Sequence, residues 1–300
     1  LRRQLERSRV SGAPLTRAPT ILLLTALAMC AFAANSVLCR MALSAPLIDA
    51  ASFTAIRLVS GAIALTLLAA LRNSGKVNLA GDWRSALALF VYAAGFSFAY
   101  ITLHASTGAL ILFGLVQATM IGVGFVRGER LTPLQTLGAI IAAAGLVYLL
   151  LPGLSAPPLA GAALMALAGA AWGVYSLFGR AAKGVDPALA TTGNFLRAAP
   201  MGLALLVPFH SQLQLSTEGV LLAVASGAIT SGMGYVIWYA ALKGLSASEA
   251  AIAQLTVPVL AALGGLLLVH EPLTLRFVLA AAVILGGVAV VLRVAPPARP

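Results

Sequence analysis

RGERLTP, at residues 127–133, is a short charged segment that separates two long apolar runs. A near copy, HEPLT at residues 270–274, separates the last two apolar runs of the chain. A glycine follows each copy inside the next apolar run, Gly145 after the first and Gly287 after the second. The same segment used twice in the same setting predicts that the chain consists of two related halves.

The composition is typical of a membrane protein. Hydrophobic residues make up 61% of the 300 residues and charged residues only 9%, whereas soluble domains carry roughly a quarter charged residues. A helix needs about 20 apolar residues to cross a bilayer, which leaves room for about ten such helices joined by short loops. We therefore predict an all-α integral membrane protein with ten transmembrane helices and no separate soluble domain.

The apolar runs form two sets of five. They span residues 20–39, 52–71, 85–103, 107–126 and 133–151 in the first set, and 159–178, 188–208, 219–240, 247–269 and 275–292 in the second. The predicted divisions are a tail at 1–18, a first repeat at 19–151, a second repeat at 152–293 and a tail at 294–300. Thr132, Pro133 and Gln135 have the pattern of a capping box at the start of the fifth helix.

The basic residues predict that both termini lie in the cytoplasm. With the N-terminus inside, every Lys and Arg lies on the cytoplasmic side except Arg40, Arg57, Arg197 and Arg276. This bias follows the positive-inside rule and accounts for the net charge of +11. Nucleic-acid binding needs a basic face with interleaved polar or aromatic residues, so we predict the lipid bilayer, and no nucleic acid, as a partner.

The two halves also match outside the charged segment. FAANSVLCR at residues 32–40 corresponds to WGVYSLFGR at 172–180, and Arg57 corresponds to Arg197 at the same separation. Because each half has five helices, an odd number, the second half enters the membrane from the opposite side. The sequence therefore predicts inverted-topology repeats, which are typical of transporters that open a central site first to one face and then to the other.

These motifs together resemble the drug/metabolite transporter superfamily, and within it the EamA-type bacterial metabolite exporters. The resemblance covers residues 20–292. It rests on the order and spacing of GERLT at 128–132, HEPLT at 270–274 and the Trp172, Tyr175 and Arg180 motif. Two positions depart from the pattern: Phe32 stands where members often have Trp, and Gln117 stands where the second half has Pro258.

The resemblance implies a function as well as a fold. It implies a multi-pass protein of the bacterial inner membrane that exports amino acids, commonly aromatic or hydrophobic ones, or related metabolites. It also implies a central cavity lined by helices 1–4 and 6–9, with helices 5 and 10 at the periphery. We expect a small-molecule substrate, no cofactor and a functional monomer.

Aromatic side chains at helical spacing and amides within helices are the candidate substrate contacts. The aromatic residues could line a cavity for apolar or aromatic groups or for a cation, or form a belt at the membrane interface. The amides could bind a substrate's amino or carboxylate group, or join neighbouring helices. The predicted substrate-binding residues are Tyr92, Phe96, Tyr100, Gln117, Trp172, Tyr175, Tyr235, Trp238 and Gln254.

Two arginines fall inside predicted helices, where a charge is costly. Arg57 and Arg197 could bind a substrate carboxylate, or they could extend to a membrane face or bond helix-end carbonyls. Their matching positions favour a structural role in both halves. Glu129 and Glu271, at the ends of helices 4 and 9, are predicted to be structural, each facing the N-terminus of the following helix.

The acidic residues predict facilitated export. All eight Asp and Glu fall in tails, loops or helix ends, so proton coupling would have to use Glu249 or His104. We predict no catalytic residue and no metal site, because enzymes bring together acid/base pairs, nucleophiles or metal ligands. The alternatives are a broad-specificity drug or quaternary-cation exporter, and less favoured, an intramembrane enzyme or a channel.

Overall fold

The computed structural model describes residues 17–45, 47–72, 80–128, 130–153, 156–182, 184–245 and 247–293. These residues are helical apart from short connections, a 3₁₀ turn at His210–Gln212 and an isolated β-bridge between Ile48 and Leu215. The helices are α1 (Arg17–Ser44), α2 (Ala50–Arg72), α3 (Trp83–Tyr100), α4 (Ala105–Val126), α5 (Pro133–Leu150), α6 (Leu159–Ala181), α7 (Pro187–Ala204), α8 (Thr217–Leu242), α9 (Ala247–Gln254 and Val257–Leu268) and α10 (Leu275–Arg293).

Eight of these helices are long and apolar enough to cross a membrane: all except α3 and α7. Those two have 18 residues each and contain polar residues such as Arg84 in α3 and Asn194 in α7. Large apolar side chains cover the outside of the bundle, for example Leu67 and Leu267, which are 61% and 68% exposed. An all-helical membrane protein is confirmed, whereas the membrane crossings of α3 and α7 stay predictions.

Local sequence accounts for where several helices begin. The capping box predicted for α5 is confirmed, since the Gln135 N–H donates to the Thr132 hydroxyl and the Thr132 N–H donates to the Gln135 side chain. Asp82 and Asp186 accept hydrogen bonds from the first N–H groups of α3 and α7. These caps satisfy backbone donors that a helix start leaves unpaired. The predicted tails at 1–18 and 294–300 lie outside the described residues, apart from the first two residues of α1.

Two helices of the second half are irregular. The middle of α8, Ala225–Met233, is a π-helix, a form that occurs frequently at functional sites. α9 is interrupted at Leu255 and Thr256, whose N–H groups bond the carbonyls three residues back. Pro258, near the start of the second segment, has no N–H to donate and so favours this interruption.

Helices of the two halves pack in a matched arrangement. α1 packs against α8 and α9, and α6 packs against α3 and α4. α2 packs against α7, α4 against α9, and α5 against α10. The α5–α10 contact is close because both helices present glycines, with Gly287 against Gly138 and Gly145 against Ile284. Helices α5 and α10 pack mainly against each other, beside the group formed by the other eight.

Candidate functional site

A cavity of about 280 Å³ lies between α4, α6, α7, α8 and α9. We call it the main cavity. Its mouth is formed by exposed residues, Arg180, Ala182 and Val185, where α6 ends and α7 begins. It therefore reaches the surface at the end of the bundle where α6 and α8 end and α7 and α9 begin, which we call the open end.

The walls of the main cavity are aromatic and polar. Most of the predicted substrate contacts lie here, namely Gln117, Trp172, Tyr175, Tyr235, Trp238 and Gln254. The Tyr175 hydroxyl donates to the Thr191 hydroxyl at 3.3 Å, and the Thr191 hydroxyl donates to the Tyr239 hydroxyl at 3.1 Å. The Asn194 amide donates to the Tyr175 hydroxyl at 3.5 Å. Trp238 is buried in this wall and so faces the cavity rather than lipid.

A smaller pocket of about 10 Å³ lies deeper in the bundle. We call it the inner pocket. Trp172 and Tyr235 line both spaces, so the inner pocket adjoins the main cavity. Trp172 stacks on Tyr92, with ring centroids 5.5 Å apart and an interplanar angle of 23°, and separates Tyr92 from the main cavity. The inner pocket is lined by Phe32, Asn35, Tyr92, Phe96, Leu112, Phe113, Trp172, Thr230, Ser231 and Tyr235.

Arg57 lies directly behind the inner pocket and is only 2% exposed. Its Nη2 donates to the Tyr92 hydroxyl at 2.9 Å and its Nε to the Ser231 hydroxyl at 3.3 Å. Its guanidinium carbon is 4.7 Å from the ring centroid of Phe96. Its Nη1 has no hydrogen-bond partner among the described residues. The charge is therefore buried next to neutral groups.

Arg197 has a different environment. Its Nη1 donates to the carbonyls of Ala80 and Gly193 at 3.0 and 2.8 Å, and it lines neither the main cavity nor the inner pocket. Arg57 makes no such carbonyl contacts. The two arginines therefore differ in their surroundings, because only Arg197 meets a chain segment whose carbonyls accept its N–H groups. The structural role expected for both stays a prediction.

The π-helix of α8 supplies polar groups to the inner pocket. Ser226 donates to the side-chain carbonyl of Asn35 at 2.7 Å. The Thr230 hydroxyl lies 3.2 Å from that carbonyl and 2.9 Å from the backbone carbonyl of Ser226, so the two acceptors share its one proton. The Asn35 amide N–H in turn donates to the Tyr92 hydroxyl at 3.4 Å. These bonds hold Asn35 in one orientation and join α1, α3 and α8 at the centre of the bundle.

The opposite end of the bundle, which we call the closed end, is joined by an ion pair. Arg40 Nε lies 2.6 Å from Glu271 Oε1, and Arg40 Nη1 donates to the carbonyls of Tyr100 and Ile101 at 2.9 Å each. Glu271 Oε2 accepts from the Ala105 N–H at 2.7 Å. Glu271 thus meets the N-terminus of α4 and not that of α10, which corrects the prediction. Tyr100 lies in this cluster and lines neither cavity.

The remaining candidates lie near the ends of the bundle. Arg180, the counterpart of Arg40 in the second half, is exposed at the open end, as is Glu249 in the first turn of α9. His104 precedes α4 at the closed end. Glu129 lies outside the described residues. Among the described His, Cys, Asp and Glu residues, no three come together in a group that could hold a metal ion.

Comparison with known proteins places the chain in a family. The EamA-like transporter family matches residues 159–293. An uncharacterized transporter of Archaeoglobus fulgidus is 30% identical over 242 residues, 77% of this chain and 86% of that protein. The chain belongs to the EamA-like transporter family. An uncharacterized protein of Pseudomonas aeruginosa is 55% identical over 271 residues, 90% of this chain and 94% of that protein.

The fold of this EamA-like transporter is also found in a crystal structure. That protein is 20% identical, has a TM-score of 0.66, and the match covers 91% of this chain and 97% of the other.

Sequence reasoning did not single out the Arg40–Glu271 pair or the hydroxyls of the π-helix. The sequence did contain a pattern that could have indicated Arg40: it is the last residue of the motif at 32–40, and Arg180 is the last residue of the matching motif. No local pattern distinguishes Ser231 from other small residues of α8.

Proposed function

We propose that this membrane transporter exports neutral amino acids with aromatic or hydrophobic side chains, or related metabolites, by alternating access. The observation that carries the proposal is the main cavity, which is open at one end of the bundle while the Arg40–Glu271 pair joins the other end. A carrier needs one central site and two ends that open in turn.

The two halves are proposed to be inverted repeats of five helices, with α3 and α7 completing ten membrane crossings. The matched packing of α1 with α8 and α9, and of α6 with α3 and α4, supports this symmetry. Arg180 and Lys243 are exposed at the open end, so the positive-inside rule favours a cytoplasmic open end and cytoplasmic termini. The proposed location is the bacterial inner membrane.

The size and walls of the main cavity favour a small metabolite. Ligand pockets of proteins typically measure about 300–1,000 Å³, and a cavity of about 280 Å³ is therefore suited to small ligands. Tyr175, Tyr235 and Trp238 offer aromatic surface to an apolar side chain, while Gln117 and Gln254 offer amides to polar groups. The aromatic walls also favour the second candidate, an exporter of organic cations.

We propose facilitated export by a monomer. None of the described residues that line the two cavities is Asp or Glu, which supports transport down a substrate gradient. Both halves of one chain contribute to the cavity walls, so one chain suffices. Release on the outer side would require Arg40 and Glu271 to separate while the helix ends around Arg180 approach each other.

Purified transporter in liposomes should move phenylalanine, leucine, methionine or threonine down their gradients without an imposed pH gradient. Gln254→Ala should lower this flux by about three- to tenfold, the loss expected for one hydrogen bond. The matched control is Gln212→Ala, an exposed residue near the closed end, which should leave the flux unchanged. Strict dependence on a proton gradient would contradict facilitated export, and no flux of any amino acid would contradict the substrate class.

A further inference from the structure

We propose that Arg57 binds the carboxylate of the transported substrate, so that the carrier accepts small organic carboxylates and rejects the corresponding amines. The proposal rests on the transport function proposed above and specifies its substrate chemistry. Arg57 lies behind the inner pocket, which has a volume of only about 10 Å³.

Hydrogen-bond donors at and directly behind the inner pocket lack acceptors. Arg57 Nη1 has no partner among the described residues. The Tyr92 hydroxyl accepts from Arg57 and Asn35, and the Ser231 hydroxyl accepts from Arg57, which leaves the proton of each hydroxyl without an acceptor among those residues. The side-chain carbonyl of Asn35 already accepts from Ser226 at 2.7 Å, and the Thr230 hydroxyl lies 3.2 Å from it. Three donors at or directly behind the inner pocket are therefore without an acceptor among the described residues, an arrangement that suits an anion.

The charge of Arg57 is also uncompensated. It makes no ion pair with any described Asp or Glu, although it is 2% exposed. A buried charge is strongly unfavourable unless it is paired, and an ionisable group at membrane depth is a functional candidate by default. Arg197, its sequence counterpart, is satisfied by two carbonyls. Of these two arginines, only Arg57 therefore keeps a buried N–H group without a partner among the described residues.

The carboxylate is the anion that fits best. The guanidinium is a planar fork that binds carboxylates through parallel N–H···O bonds. A single cation behind an aromatic pocket suits a monoanion, since the second charge of a phosphate monoester would remain unpaired there. The main cavity adjoins the inner pocket at Trp172 and Tyr235, so an apolar substituent would lie between the aromatic walls of the main cavity.

Binding requires one aromatic ring to move. The inner pocket holds only about 10 Å³, and Trp172 stacks on Tyr92 between Arg57 and the main cavity. A carboxylate reaches Arg57 once Trp172 leaves Tyr92. The substrate would then replace the stacked ring, with its charged group at Arg57 and its side chain toward Tyr175.

The test uses three related probes in counterflow with the full-length protein in liposomes: phenylalanine, 3-phenylpropionate and phenethylamine. Wild type should exchange the two carboxylates and move the amine at least about tenfold more slowly, since a charge-assisted bond to Arg57 is lost. Arg57→Gln should lower flux of both carboxylates by at least about tenfold. The matched control Arg197→Gln should retain most of the flux, because its amide can still donate to a carbonyl.

Binding is measured separately from transport. Millimolar 3-phenylpropionate should raise the thermal unfolding temperature of wild type in detergent and leave that of Arg57→Gln unchanged. If wild type moves none of the probes but shows this Arg57-dependent shift, the proposed transport function fails and the carboxylate site stands. If folded Arg57→Gln keeps the shift or the carboxylate flux, or if the amine is moved equally well, the site is overturned. Should Arg57→Gln not fold, Arg57→Met replaces it, and unchanged apparent affinity for 3-phenylpropionate in that variant overturns the site.

Discussion

Arg40 and Arg180 occupy matching positions at the ends of α1 and α6, yet Arg40 is paired with Glu271 and Arg180 is exposed at the mouth of the main cavity. Arg57 and Arg197 match in α2 and α7, yet Arg57 is buried without a carboxylate partner while Arg197 bonds two carbonyls. Under the alternating access proposed above, the first difference is one of conformational state, since the two ends would exchange environments. The second belongs to the fold, because the Ala80 carbonyl is supplied by the segment before α3.

The largest expected effect distinguishes the two end arginines. Arg40→Ala should lower the free energy of unfolding by about 3–5 kcal/mol, because it leaves the buried Glu271 carboxylate without its cation. Arg180→Ala removes an exposed group and should change stability by no more than about 0.5 kcal/mol. Thermal or denaturant unfolding in one detergent measures both. Equal losses would show that the closed end does not depend on the ion pair.

A second pair of substitutions tests whether the α5–α10 contact is symmetric. Gly145→Leu and Gly287→Leu should each cost about 3 kcal/mol, since a side chain there would meet the backbone or side chains of the other helix and overpack the contact. Gly286→Leu is the control, because a Cβ at that position would meet nothing within 4 Å. The same unfolding measurement applies. A loss at Gly286 as large as at Gly287 would contradict close packing at one face.

Replacing Arg57 and replacing Arg197 should change the free energy of unfolding in opposite directions. Arg197→Met should lower the free energy of unfolding by about 2 kcal/mol, because two partly buried carbonyls lose the N–H donor of Arg197. Arg57→Met should raise it by about 1 kcal/mol, because an unpaired buried charge is replaced by an apolar side chain of similar length. Unfolding curves of both variants against wild type give the comparison. A loss at Arg57 as large as at Arg197 would favour a structural role for both.

The smallest expected effect concerns the matching caps of α5 and α10. Thr132 takes part in a reciprocal capping box, whereas Thr274 only accepts from the Phe277 N–H at 3.1 Å. Thr132→Ala should cost about 1 kcal/mol and Thr274→Ala about 0.5 kcal/mol. Repeated denaturant titrations measure which of the two variants loses more stability. The reverse order would mean that the Gln135 side chain contributes nothing to the helix start.

Much of the site could be predicted because it follows from residue type and helical spacing. Aromatic and amide residues on α4, α6, α8 and α9 line one cavity, as a stripe facing the centre of a helical bundle should. Tyr100 has the same spacing as Tyr92 and Phe96, yet it lies at the closed end, because a helix of 18 residues extends well beyond the cavity. Helical spacing predicts which face of a helix a residue lies on, but it does not predict which part of the helix lies beside the cavity.

The sequence by itself determined the membrane class, the helical segments, the capping box of α5 and the family, since each depends on composition, local pattern or direct similarity. Only the tertiary structure decided which charged groups meet. Glu271 contacts the start of α4 and Arg40 of α1, both distant in the chain, and Arg57 is left without a carboxylate where Arg197 finds two carbonyls. Hydrogen-bond partners are set by which helices pack together, and that packing depends on the side chains of the whole bundle at once.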